Sequence, residues 1–90
     1  EFVVILCATH AQGAAAVAQR ILDRIAELAI PHSAGEGGRV TLSIGVSTAL
    51  PQPETTPQSL VGAADAALYR AKHAGRNRFV LDQAPQIAQL

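Results

Sequence analysis

Residues 56–75 read TPQSLVGAADAALYRAKHAG, a stretch in which both ends of one helix are marked. Thr56 is a favourable N-cap, and Pro57 suits the first helical position because it has no N–H group to leave unpaired. Gly75 suits the left-handed residue that closes a helix. The side chains at helical spacing between them are small or aliphatic: Leu60, Ala63, Ala64, Ala67, Leu68 and Ala71. The stretch therefore predicts a helix that starts at Pro57 and packs closely against a neighbour.

Strands are predicted on both sides of this helix. Residues 40–47 alternate large apolar with small, mostly polar side chains, which is the period of a strand with one bulky and one bare face. The bare face, around Ser43 and Gly45, leaves room for something to lie across it and is compatible with a nearby ligand. Residues 78–82 form a short final strand. Residues 2–8 are apolar and rich in β-branched side chains, as in a strand buried on both faces.

A further helix is predicted from about Ala11 to Ala29, where apolar residues recur at helical spacing. Ile30-Pro31 should end it, and residues 32–38 form a glycine-rich turn. The order β-α-β-α-β predicts an α/β layer with parallel strands and right-handed crossovers. Because the chain opens at Glu1 on its most buried strand, without a cap or turn before it, we expect an upstream half in a longer parent protein.

Composition excludes several classes of function. The 90 residues are 49% hydrophobic and 16% charged, which is too apolar for a disordered chain. Seven basic and seven acidic residues cancel, so the chain lacks the positive field that a nucleic-acid polymer or an anionic membrane surface would attract. The single cysteine, Cys7, allows no internal disulfide and favours a cytoplasmic setting. The longest apolar run is too short to span a membrane, so we expect no direct membrane contact from this segment.

Charged residues near the end of the second helix are the best candidates for a site. Asp65, Tyr69, Lys72 and Arg76 are spaced by 4, 3 and 4 residues, which places them on one stripe. Lys72 and Arg76 could together hold phosphate oxygens, Lys72 with a compact point charge and Arg76 with a planar, two-pronged guanidinium group. The alternative is that both cations only satisfy the last carbonyls and the helix dipole. Glu1, the only carboxylate near the first strand, is either a magnesium ligand or a solvated surface group.

Three segments, in order, resemble GGDEF domains, the diguanylate cyclases of bacterial signalling. Residues 64–77, ADAALYRAKHAGRN, are similar to the family's AD-x-ALY-x-AK-x-x-GRN ending. Residues 41–46, TLSIGV, resemble its T-x-S-I-G-V strand, and residues 1–6, EFVVIL, resemble the EF of the motif with the following strand. The resemblance implies a nucleotidyl cyclase-like, ferredoxin-like palm. It implies that residues 1–82 are the C-terminal half of such a domain and residues 83–90 a tail or linker.

The resemblance also implies an activity and residue roles. Diguanylate cyclases condense two GTP molecules into cyclic di-GMP with release of pyrophosphate, using two domains that face each other as a homodimer. Lys72 and Arg76 match the residues that hold the terminal phosphates of GTP. Glu1 matches the second acid of the catalytic, metal-binding pair that works with magnesium or manganese. Arg20 falls where some relatives contact inhibitory product, although pairing with a neighbouring acid, Asp23 or Glu27, is the plain alternative.

Two functions remain open at this point. The two glycines and first acid of the motif are not in this chain, nor are the upstream metal aspartate, the guanine contacts and the RxxD product site. The parent is therefore either an active cyclase or a degenerate, inactive GGDEF domain that acts as a nucleotide-binding or dimerising regulatory module. In both cases we expect sensor or regulatory domains in the parent chain and a cytoplasmic location, whether or not the parent is anchored in a membrane.

Overall fold

A computed structural model describes residues 2, 4, 6, 9–49, 53 and 56–82. Its elements are helix α1 at Ala11–Leu28, a short 3-10 turn at Glu36–Gly38, strand β1 at Ser43–Val46, helix α2 at Pro57–His73 and strand β2 at Arg78–Leu81. The two strands pair in parallel, and α2 is the crossover between them. The α/β class and the parallel crossover are confirmed. Of the strand predicted at residues 2–8, only Phe2, Val4 and Leu6 are described, so its pairing lies outside the described residues.

Helix α1 has caps that the sequence did not reveal. The ring nitrogen Nδ1 of His10 accepts a hydrogen bond from the backbone N–H of Gly13 at 3.1 Å, so His10 caps the N-terminus of the helix. At the other end, Ala29 is left-handed, with φ of 46°. The helix therefore ends at Leu28, before the predicted stop at Ile30-Pro31, because a left-handed residue closes it before the proline acts.

The segment after α1 is a closed turn. The backbone N–H of His32 donates to the carbonyl of Gly38, and that of Val40 donates to the carbonyl of Ile30, both at 2.9 Å. These bonds confirm the predicted turn. They also explain why β1 begins only at Ser43, later than predicted, since the N–H of Val40 is engaged within the turn and not with a strand.

The start of α2 agrees with its prediction. The Thr56 hydroxyl oxygen accepts from the N–H of Ser59 at 3.0 Å, and the Ser59 hydroxyl oxygen accepts from the N–H of Thr56 at 3.3 Å. These reciprocal bonds form a capping box, with Pro57 at the first helical position. Two donors that the helix leaves unpaired are thereby satisfied.

The buried apolar residues in the described part of the chain are alanines. Ala67 and Ala71 of α2 are fully buried, and Ala14 and Ala18 of α1 nearly so. Both helices contact both strands, and α2 makes its largest contact with β1. Small side chains let the helix backbone approach the sheet, which is how an alanine-rich chain with few aromatic residues builds a core. Leu28, although it is one of the apolar residues at helical spacing on α1, is 50% exposed.

The closest approach is at Gly45 of β1. A Cβ atom added there would overlap the backbone of α2, at the carbonyl oxygen of Ala64 and the nitrogen of Leu68. Helix α2 therefore lies across the bare face of the strand. The sequence predicted that something would cover this face, without indicating what. The hypothesis of a ligand beside this face is wrong at Gly45, because the helix backbone fills the space.

Two polar contacts set the direction of α2 against the sheet. Ser47, just past β1, donates its hydroxyl to the carbonyl of Leu60 at 2.8 Å. Arg70 forms an ion pair of 3.7 Å with Asp82, just past β2. The first contact places the start of α2 near the end of β1, and the second ties Arg70 in the C-terminal half of α2 to the end of β2.

Candidate functional site

The C-terminal end of α2 is a tight, hydrogen-bonded turn. The helix ends at His73, and the backbone N–H of Ala74 donates to the carbonyl of Arg70 at 2.8 Å. The N–H of Arg76 donates to the carbonyl of Ala71, five residues earlier, at 2.9 Å. A bond of this span is typical of the Schellman motif that closes many helices. Gly75 has φ of 124°, so the positive φ predicted for it is confirmed. The turn fixes the backbone of Arg76 relative to α2.

The turn holds two residues in a conformation that only glycine adopts freely. Arg76 has φ of 62° and Asn77 has φ of 50°. The left-handed region costs an L-residue about 1–2 kcal/mol, although asparagine tolerates it better than most. Such conformations persist where the surrounding structure determines them, and they cluster at functional sites. Arg76 is therefore held in its position by its neighbours, against its own preference.

The predicted stripe is correct for three of its four members. Asp65, Tyr69 and Lys72 lie on α2 and are exposed. Arg76 lies three residues beyond the last helical residue and is left-handed, so the expectation that helical spacing extends to it is wrong. The structure still places Lys72 and Arg76 at one end of α2, since one belongs to the last helical turn and the other to the turn that follows.

The carbonyl groups at this helix end do not use the two cations. Those of Arg70 and Ala71 accept backbone N–H groups from the closing turn. The side chains of Lys72 and Arg76 are exposed, and neither forms a hydrogen bond or ion pair with any residue that the structure describes. The described part of the chain therefore does not show these cations bonded to the last carbonyls, although Lys72, in the last turn, still complements the helix dipole. Both charged groups are available to a ligand.

An aromatic pair lies beside Lys72. The rings of Tyr69 and His73 are stacked, with centroids 3.9 Å apart and an angle of 28° between their planes. His73 Nδ1 is 3.0 Å from the Tyr69 carbonyl oxygen, and because a carbonyl only accepts, Nδ1 carries the hydrogen. The spacing of four residues was the available sequence signal for this pair.

Arg78 is a residue of this region that the sequence did not single out. Its Nε donates to the carbonyl oxygen of Arg76 at 2.9 Å. Arg78 is also the first residue of β2 and pairs in register with Ser43 of β1. No spacing rule for helices or strands connects residues two apart across a left-handed turn, so only the folded geometry reveals this contact.

Arg20 is exposed on α1 and does not form an ion pair with Asp23 or Glu27, the alternative considered for it. Asp23 accepts a hydrogen bond from Gln19 at 2.9 Å, and Glu27 accepts one from Arg24 at 3.1 Å. Within the described ranges, Arg20 forms no ion pair with either acid. Its guanidinium group is thus open to solvent, which is compatible with a contact to a ligand from outside this chain.

Metal ligands are not found within the described part of the chain. No group of three or more His, Cys, Asp or Glu side chains comes together there in a way that could hold a metal ion. Glu1, the expected metal ligand and catalytic acid, lies outside the described residues, as does Cys7. One carboxylate cannot by itself satisfy magnesium, so any such site needs further ligands from elsewhere. Among the described helices, none is long and apolar enough to cross a membrane.

Comparisons with known proteins extend over most of this chain. The family described as "Diguanylate cyclase, GGDEF domain" matches residues 1–78, a range that includes Lys72 and Arg76. Diguanylate cyclase A of Treponema denticola is 43% identical over 83 residues, which are 92% of this chain and 22% of that protein. Diguanylate cyclase DgcZ of Escherichia coli K12 is 37% identical over 78 residues, which are 87% of this chain and 25% of that protein.

The uncharacterized protein YhcK of Bacillus subtilis 168 is also 37% identical over 78 residues, which are 87% of this chain and 21% of that protein. No solved structure shows a significant match to the chain. The chain spans a quarter or less of the length of these relatives. The family match covers most of the chain, and the α/β fold with its parallel crossover agrees with it. This chain belongs to the GGDEF domain family.

Proposed function

We propose that this chain is the C-terminal part of a diguanylate cyclase domain, which condenses two GTP molecules into cyclic di-GMP and releases pyrophosphate. The observation that carries the proposal is the pair of exposed cations at the end of α2. Lys72 and Arg76 form no hydrogen bond or ion pair with a described residue, while the carbonyls of Arg70 and Ala71 accept backbone N–H groups. The names of the two most informative relatives support the same activity.

The chemistry of the two side chains suits the terminal phosphates of GTP. The ammonium of Lys72 is a compact point charge, and the guanidinium of Arg76 is a planar fork that can donate two parallel hydrogen bonds to phosphate oxygens. The chain has no net charge, so attraction for an anionic nucleotide must be local. We assign Lys72 and Arg76 to substrate phosphate binding.

A divalent cation completes the proposal, with Glu1 as one of its ligands. Magnesium or manganese, when bound, supplies screening of the phosphate charge and activation of the attacking 3′ hydroxyl group. The other ligands come from parts of the domain beyond this chain, since no cluster of ligands is found among the described residues. Glu1 is accordingly the catalytic residue of this chain.

The remaining assignments follow from the same family membership. We propose that residues 1–82 form the C-terminal half of the domain and that residues 83–90 are a tail or linker. Two such domains form a homodimer in which each binds one GTP. Sensor or regulatory domains of the parent protein control the formation of this dimer. Arg20 contacts inhibitory cyclic di-GMP. The domain acts in the cytoplasm and takes no nucleic-acid polymer as a partner.

The decisive experiment uses the full-length protein that carries this chain. It is incubated with GTP and magnesium, and cyclic di-GMP and pyrophosphate are quantified by chromatography, for the native protein and for Glu1→Gln. Formation of cyclic di-GMP that Glu1→Gln abolishes supports the cyclase. Saturable GTP binding without turnover would instead identify a regulatory module, and the absence of GTP binding would reject both functions.

A further inference from the structure

We propose that Arg78 is a positioning residue that holds Arg76 in place for phosphate binding. The proposal rests on the function proposed for Arg76. Arg78 Nε donates to the Arg76 carbonyl oxygen at 2.9 Å. The backbone of Arg78 is itself fixed, because it begins β2 and is paired opposite Ser43. The bond therefore ties the residue proposed to bind phosphate to a fixed point of the sheet.

The need for such a contact comes from the backbone of the turn. Arg76 and Asn77 are both left-handed, a conformation that persists only where the surroundings determine it. The N–H of Arg76 is held from one side by the carbonyl of Ala71 in α2. Its carbonyl is held from the other side by Arg78 at the start of β2. Both backbone polar groups of Arg76 are thus engaged, one by each of the elements that the turn connects.

Gly75 gives a second, independent observation. A Cβ atom added to Gly75 would lie 2.6 Å from Arg78 Nη2, closer than real Cβ contacts come. The guanidinium group of Arg78 therefore lies over the turn, in the space that the missing side chain leaves. This geometry directs Arg78 onto the backbone of the turn. Because Nε already donates to the turn, this donor is committed to the backbone and not to a ligand, which favours a positioning role for Arg78.

Three substitutions of Arg78 in the full-length protein separate these roles. Arg78→Met keeps an unbranched side chain as far as the position of Nε and removes every donor. Arg78→Gln places an amide nitrogen as many bonds from Cα as Nε is, without the charge. Arg78→Lys keeps the charge and moves the donor. For each variant, hydrogen–deuterium exchange of the Arg76 amide and the Kd for a non-hydrolysable GTP analogue are measured, and a thermal melt verifies folding.

The proposal expects Arg78→Met to speed exchange of the Arg76 amide and to weaken binding by about 2- to 10-fold, the range of a typical net intramolecular hydrogen bond and less than the loss of a direct charge-assisted contact to phosphate. Arg78→Gln should restore most of both. In an Arg76→Ala background, Arg78→Met should cause no further loss of affinity, because the side chain being positioned is gone.

Two results would overturn the proposal. One is unchanged exchange of the Arg76 amide in Arg78→Met. The other is an equal loss of affinity in Arg78→Met and Arg78→Gln with native affinity in Arg78→Lys, which would make Arg78 a direct phosphate contact. If Arg76→Ala alone leaves the Kd unchanged while Arg78→Met still speeds exchange, the proposed phosphate role of Arg76 fails and the structural contact of Arg78 stands.

Discussion

Gly45 of β1 lies directly against the carbonyl oxygen of Ala64 in α2, with no room between them for even one methyl group. The contact explains how an alanine-rich chain packs. The backbone of α2 approaches the strand more closely than any side chain at this position would allow, so backbone and small side chains share the interface. The contact also fixes the distance between α2 and the sheet. The position of Lys72, in the last turn of α2, depends on this distance.

Gly45→Ala should therefore be strongly destabilising. The added Cβ would overlap backbone atoms of Ala64 and Leu68, which cannot rotate away as a flexible side chain can. Overpacking typically costs about 1–3 kcal/mol, and a clash with backbone belongs at the upper end of this range. Calorimetry of the full-length protein should show a lower unfolding temperature for this domain.

Gly62→Ala is the matched control for that substitution. Gly62 lies inside α2, and a Cβ added there meets nothing within 4 Å. Alanine at an open helical position should stabilise by about 0.5–1 kcal/mol, because glycine loses more conformational freedom on folding. The two substitutions should thus have opposite signs. An equal loss in both would mean that α2 does not approach β1 as closely as the structure has it.

The two ends of α2 were predictable because short segments of sequence determine them. The N-cap at Thr56, the proline that follows and the positive φ of Gly75 are properties of short segments, and the structure has all three. The bare face of residues 40–47 was visible as a pattern, but its occupant was not, because the choice between a ligand and a helix depends on residues far along the chain. The predicted start of β1 at Val40 was wrong for a similar reason, because the N–H of Val40 bonds to the carbonyl of Ile30, ten residues earlier in the chain.

The residues proposed for the candidate site could be chosen from the sequence, but their arrangement could not. Lys72 and Arg76 stood out by their chemistry and their place near a helix end. Helical spacing was then extended to Arg76, although the helix ends at His73 and the next turn is left-handed. The contact of Arg78 depends on that turn and on the pairing of β2 together, and neither can be inferred from a local pattern.

Thr56→Ala should weaken the start of α2. The substitution removes the hydroxyl that accepts from the N–H of Ser59, and the capping box loses one of its two bonds. The expected loss is about 1 kcal/mol of unfolding free energy, measured by urea denaturation. Thr56→Ser keeps the hydroxyl and should lie close to the native protein. Equal losses in the two variants would show that the methyl group of Thr56, and not the cap, is what matters.

Lys72→Ala and Arg76→Ala should each weaken GTP binding without unfolding the domain. Both side chains are exposed, and neither forms a hydrogen bond or ion pair with a described residue that the substitution would remove. A hydrogen bond to a charged group contributes about 1.5–3 kcal/mol, so each variant should raise the Kd roughly 10- to 100-fold. Isothermal titration of the full-length protein with a GTP analogue and magnesium gives the value.

Arg24→Ala is the control for a simple loss of positive charge. Arg24 is exposed on α1 and pairs with Glu27 at 3.1 Å, an ion pair of small energetic weight at the surface. Its removal changes the net charge by the same amount as removal of Lys72 or Arg76 and should leave the Kd for GTP within about 2-fold. A loss as large as that of Arg76→Ala would indicate general electrostatic attraction, and the assignment of a local phosphate clamp would have to be withdrawn.

Arg20→Ala should relieve inhibition by cyclic di-GMP and leave GTP turnover at low product unchanged. The guanidinium group of Arg20 is exposed on α1, and its two acidic neighbours bond to Gln19 and Arg24 instead, so it is available to an anionic ligand. Removing one charge-assisted hydrogen bond to a product phosphate should raise the inhibition constant roughly 10- to 100-fold. Initial rates of cyclic di-GMP formation are measured at increasing added product. Arg24→Ala, one turn along the same helix surface, serves again as the control and should keep native inhibition. Identical inhibition in Arg20→Ala and the native protein would exclude Arg20 from the product contact.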